Sequence, residues 1–93
     1  MKKTSAARLA KQLSISKARG LEAVIKAQLI SAILREVERR GLTHAQLADL
    51  SGLPRSAVTG ILSGSLQRVT IDRVLRLVEA SGLDAEVKVR RAA

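Results

Sequence analysis

Glycine recurs at positions 41, 52, 64 and 82, each time closing a stretch whose apolar residues repeat at helical spacing. Glycine takes the left-handed conformation that ends a helix at little cost, so this punctuation predicts several short helices joined by tight turns. Residues 21–40 form the longest periodic run. Ile30, Ile33, Leu34 and Val37 lie on one stripe, whereas Leu21, Val24, Ile25 and Leu29 point roughly to the other side, where Arg35 and Arg39 follow. An apolar face that changes sides halfway predicts a second half packed into the core. The first half is left to meet residues 4–13, a second subunit or a partner protein.

Thr43-His44-Ala45-Gln46 has the form of a capping box, in which Thr43 and Gln46 satisfy each other's free amides. It opens a helix with Leu47, Ala48 and Leu50 directed inward, ended by Ser51-Gly52. Pro54 suits the first turn of a further helix, which carries Val58, Ile61 and Leu62 to Ser63-Gly64. Thr70 is the next N-cap, followed by an inward stripe of Ile71, Val74, Leu75 and Val78 with Asp72 near the positive helix end. Gly82-Leu83 matches a Schellman ending. Upstream, Ala6, Leu9, Ala10 and Leu13 give a weak helix over residues 4–13, followed by a polar stretch from Ser14 to Gly20.

The last segment changes period. Ala85, Val87 and Val89 alternate with Asp84, Glu86, Lys88 and Arg90, the pattern of a strand with one apolar face. No second strand is legible in the chain, and a lone strand needs a partner for its edges. Antiparallel pairing with its own copy, centred on Val87, sets Asp84 opposite Arg90 and Glu86 opposite Lys88. This self-complementary order predicts an isologous homodimer joined through residues 84–90.

The 93 residues hold 17 Lys+Arg against 8 Asp+Glu, with no cysteine, no aromatic residue and a single histidine. These absences exclude disulfides, thiolate chemistry, multi-histidine metal sites and aromatic platforms for single-stranded bases. No metal or other cofactor is expected. No apolar run approaches the length of about 18 residues needed to cross a bilayer. Residues 21–86 are electrically balanced, so the net charge of +9 resides in the two ends. The first 20 residues carry Lys2, Lys3, Arg8, Lys11, Lys17 and Arg19 without an acid, and the end adds Lys88, Arg90 and Arg91. Basic extensions of this kind attract polyanions through counterion release. The expected organisation is a basic arm over 1–20, mobile or weakly helical, a folded body over 21–83, a dimerising strand over 84–90 and a tail over 91–93. Catalysis is not expected. His44 and Asp49 lie five apart on one helix and do not face each other, and no serine has a base placed by motif.

Two short helices joined through Ser51-Gly52-Leu53 constitute a helix-turn-helix candidate. With Val58, Ile61 and Leu62 inward, the second helix leaves Arg55, Ser56, Thr59 and Gly60 outward. Arg55 can fork onto guanine O6 and N7, while Ser56 and Thr59 can take a base edge, a phosphate or a thymine methyl. Gly60 inside a helix costs about 1 kcal/mol relative to alanine, so close approach of another backbone is a reason for it. An ordinary helical hairpin with a solvated outer face fits the same spacing.

The run from Gly41 to Ala48, the run from Ser51 to Thr59 and the Ile61-to-Gly64 ending resemble the lambda-repressor-like (Xre-type) helix-turn-helix family. Within it, Thr70 to Val89 is similar to the ending of the HigA-type antitoxin and regulator group. The resemblance covers about residues 21–89. It implies an all-α bundle of about five helices plus one short C-terminal strand, operator binding, and dimers joined through that strand. It also implies that the helix from Pro54 to Leu62 lies in the major groove, with Arg55, Ser56, Thr59 and Gly60 at base-facing sites. Thr43 and His44 fall at a phosphate-contacting N-terminus, where the family usually carries glutamine at the histidine position. Ser65, Gln67 and Arg68 fall in a loop that grips backbone phosphate. Pro54 and Gly60 both depart from the commonest pattern.

The leading expectation is therefore a dimeric, sequence-specific transcriptional repressor of the bacterial cytoplasm, associated with the nucleoid. Its partners are a double-stranded DNA operator, a second copy and a cognate toxin, the chain being the antitoxin of a type II pair that represses its own operon. Leu21, Val24, Ile25 and Leu29 are the candidate toxin or partner contact. The alternatives are a stand-alone or phage-like regulator of the same fold, and a protein-interaction module that does not read DNA.

Overall fold

The structure is a computed structural model that describes residues 16–65 and 69–92. Four helices follow one another: α1 (Lys17–Arg40), α2 (His44–Ser51), α3 (Arg55–Leu62) and α4 (Ile71–Ala80). The weak helix expected over 4–13 lies outside the described residues, as do Gln67 and Arg68.

Helix α1 begins four residues earlier than the periodic run suggested. Ser16 caps it, its Oγ accepting from the Arg19 amide at 3.2 Å. Once a helix is nucleated, each further residue adds a hydrogen bond without a new nucleation cost, so Lys17-Ala18-Arg19 join it despite their polarity. One turn on, the Lys26 ammonium is buried and lies 2.5 Å from Glu22 Oε1. That hydrogen bond and the adjacent positive charge hold the Glu22 carboxyl below its usual range.

The core is wholly aliphatic. Ile30 and Ile33 of α1, Leu47 of α2, Val58, Ile61 and Leu62 of α3, and Val74, Leu77 and Val78 of α4 meet around Leu53 and Val69 from the connecting segments. Helix α1 packs chiefly on α4, and α2 lies against both α3 and α4. Three expected core positions are corrected by this packing: Leu34, Leu50 and Leu75 are exposed, at 41, 67 and 44%. In α4 the buried stripe is Val74, Leu77, Val78 and Ser81, so Leu77 takes the place assigned to Leu75. A stripe at i, i+3, i+4 and i+7 centred on Val74 turns Leu75 about 100° away from the core. Leu29 is corrected in the opposite sense: it packs against the core rather than standing free for a partner.

The helix ends close as the caps require. Leu83 N–H donates to Val78 O and Gly82 N–H to Glu79 O, both at 3.0 Å, forming the Schellman pair. Arg40 Nη1 donates to the Ser81 carbonyl at 2.8 Å, tying the end of α1 to the end of α4. Gly82 sits at φ +79°, and a Cβ there would come within 2.8 Å of that guanidinium. Residues 83–92 form neither helix nor strand within the chain, and Val87 and Val89 are almost fully exposed. A strand exists only through hydrogen bonds to a neighbour, and among the described residues no segment supplies one.

Leu77→Ala is expected to destabilise the protein by about 2–5 kcal/mol through lost burial and the cavity left behind. Leu75→Ala should stay within about 0.5 kcal/mol. Urea unfolding followed by circular dichroism separates the two.

Candidate nucleic-acid interface

Helices α2 and α3 form the two arms of a wedge whose hinge is Gly52-Leu53-Pro54. Gly52 adopts φ +73°, which an L side chain rarely takes, and its N–H donates to Ala48 O at 3.0 Å. Leu53 follows with its side chain buried and its amide donating to Ser51 Oγ at 3.2 Å. Pro54, at φ −59° and ψ 144°, is the N-cap, so α3 starts one residue later than a proline in the first turn would give. Burial of Leu47 and Val58, both without exposed surface, closes the wedge from within.

The outer face of α3 is left free by this packing. Arg55, Ser56 and Thr59 are exposed, and Gly60 is half-buried. Arg55 and Thr59 stand four residues apart and share one stripe, while Ser56 and Gly60 share the next. Neither α2 nor α3 has an acidic residue in its first turn, so their positive ends carry no local counter-charge. Among the described residues Arg55 makes no ion pair; the three pairs present are Lys26–Glu22, Arg39–Glu36 and Arg76–Asp72. In the second of these, the hydrogen bond from Arg39 holds the Glu36 carboxyl below its usual range.

At the N-terminus of α2 the capping box forms in full. Thr43 Oγ1 accepts from the Gln46 amide at 3.1 Å, and Gln46 Oε1 accepts from the Thr43 amide at 2.8 Å. His44, expected to contact phosphate, reaches across to α3: its Nδ1 lies 2.9 Å from Thr59 Oγ1. Neutral imidazole can accept from the hydroxyl and imidazolium can donate to it, so the bond is available in either charge state. Nothing in the sequence signals this pairing, which joins residues fifteen positions apart. It arises only because the wedge brings the start of α2 over the middle of α3.

Ser65 lies exposed just beyond α3, its amide donating to Gly60 O at 3.2 Å. On α1, Leu21 and Ile25 are exposed and Val24 is half-buried. Beside α2, Arg40, Leu42, Gln46, Asp49 and Leu50 line a shallow open groove.

The chain belongs to a helix-turn-helix domain family, which it matches over residues 7–90. That membership suggests a DNA-binding regulator, from a class of fold that typically does no chemistry. Neither the curated proteins nor the solved structures contain a match to the chain. Among the described residues no helix is long and apolar enough to cross a membrane.

Among the described residues nothing demands a glycine at position 60, because a Cβ there meets no atom within 4 Å. Gly60→Ala is therefore expected to stabilise the free protein by about 0.5–1 kcal/mol, the helical preference of alanine over glycine. Thermal melting of the two proteins measures the difference.

Proposed function

We propose that this chain is a sequence-specific transcriptional repressor that binds a palindromic operator as a homodimer, with α3 in the major groove. The observation that carries the reading is the division of α3 into two faces. Val58, Ile61 and Leu62 are consumed by the core, while Arg55, Ser56 and Thr59 stand clear on a helix with no acid along its length. Those three side chains, with Gly60, are assigned to the base edges. Thr43, His44, Ser65, Gln67 and Arg68 are assigned to backbone phosphates. Gly60 has its reason outside the chain: a side chain there would hold the nucleic acid off.

Dimerisation is assigned to Asp84, Ala85, Glu86, Val87, Lys88, Val89 and Arg90. Val87 and Val89 stand exposed in the single chain, and antiparallel pairing of two copies would give their backbones partners and their side chains a shared face. Reading two half-sites one turn of the duplex apart then requires the two copies of α3 to stand about 34 Å apart. Within this reading the chain is the antitoxin of a type II toxin–antitoxin pair that represses its own operon. The exposed Leu21 and Ile25, with Val24 between them, support a protein contact at the start of α1.

Fluorescence anisotropy against the chain's own upstream DNA and a scrambled duplex tests the reading. Preference for the upstream duplex is expected, and equal binding to both would refute sequence reading. Arg55→Ala should lower that preference by about 1–3 kcal/mol, whereas Gly60→Ala should weaken binding even though it stabilises the fold. Truncation after Leu83 should convert dimer to monomer by sedimentation and weaken operator binding through lost bivalency. A truncated chain that stays dimeric would place the interface elsewhere.

A further inference from the structure

The bond between His44 and Thr59 bears on what the reading face can recognise. Threonine carries a hydroxyl and a methyl on one β-carbon, at different staggered positions of a stiff χ1. With Oγ1 turned toward α2 at 2.9 Å from the imidazole, the methyl is set on another side of the same carbon. Thr59 is exposed on the stripe it shares with Arg55, so the methyl is available to a ligand that covers this face. The bond to His44 aims the hydroxyl oxygen toward α2 and takes part of its hydrogen-bonding capacity, while the methyl has no such partner.

Resting on the DNA-reading function proposed above, we infer that Thr59 recognises thymine through its 5-methyl group. His44 is a positioning residue that draws the hydroxyl away from the bases. Thymine alone among the four bases carries a methyl in the major groove, so an apolar contact at this point is informative where a lone hydroxyl is permissive. The division of labour on the stripe is then a charged fork at Arg55 and an apolar contact one turn later.

The full-length chain is used to select a preferred duplex from a randomised pool. That duplex is then synthesised with deoxyuridine replacing thymine one position at a time, which removes only the methyl. One position in each half-site should weaken wild-type binding about fourfold, the worth of a buried methylene-sized group. Thr59→Val should keep that sensitivity and Thr59→Ser should lose it. His44→Ala should reduce that sensitivity, read as the ratio of thymine to deoxyuridine affinity, whereas loss of the phosphate contact assigned to His44 weakens both duplexes alike and leaves the ratio unchanged. A selected duplex insensitive to every deoxyuridine replacement would overturn the inference and leave the DNA-reading function standing. Loss of the sensitivity in Thr59→Val, whose two methyl groups fill both branch positions of threonine, would also overturn it, because a methyl at this site would then not suffice. Undiminished sensitivity in His44→Ala would remove the positioning role. A pool that yields no preferred sequence would overturn the DNA-reading function and this inference together.

Discussion

Leu53 is the residue on which the geometry of the interface turns. It lies in a three-residue connection between two eight-residue helices, and its side chain is nearly as buried as those of the helices it joins. A buried side chain in a short turn leaves the backbone little freedom, since any change in the angle between α2 and α3 would pull Leu53 from the core. Gly52, in its left-handed conformation, makes the reversal that lets Leu53 point inward, and Ser51 Oγ takes the Leu53 amide that the turn would otherwise leave unpaired. The wedge is rigid because its hinge is part of the core.

The core around this hinge is built without a single aromatic ring. Leucine, isoleucine and valine must fill the volume, and each contributes about 1.5–3 kcal/mol when fully buried. Eight-residue helices would not persist alone, because isolated helices of fewer than about 12 residues are marginal in water. They are stabilised instead by docking: α2 on α3 and α4, and α1 on α4, with Arg40 sealing the last junction through the Ser81 carbonyl. The same docking leaves the outer face of α3 unused by the fold and therefore free for another purpose.

Much of the fold is legible in the residues. The capping box at Thr43 and Gln46, the Thr70 cap and the Gly82-Leu83 ending all form as their local patterns indicate, because each depends on atoms within about six residues of one another. The split of α3 into Val58, Ile61 and Leu62 against Arg55, Ser56 and Thr59 is also legible, since apolar and polar residues there follow a single period. Errors fall where a helix carries more apolar residues than the core can accept. Leu34, Leu50 and Leu75 each adjoin a buried stripe, and periodicity alone does not say which of several nearby apolar residues the opposite helix will cover.

By itself, the order of residues determined where α1, α2 and α4 end and where α2 and α4 begin, that the core would be aliphatic, and that the excess positive charge would sit at the two ends. These are properties of composition and of short-range hydrogen bonding, complete before any two helices meet. Tertiary structure alone decided that Leu77 rather than Leu75 turns inward, that Leu29 joins the core, and that His44 holds the hydroxyl of Thr59. Those outcomes depend on the angle at which α2 crosses α3 and α1 crosses α4. That angle is fixed by the simultaneous packing of side chains distant in sequence, so no local pattern encodes it.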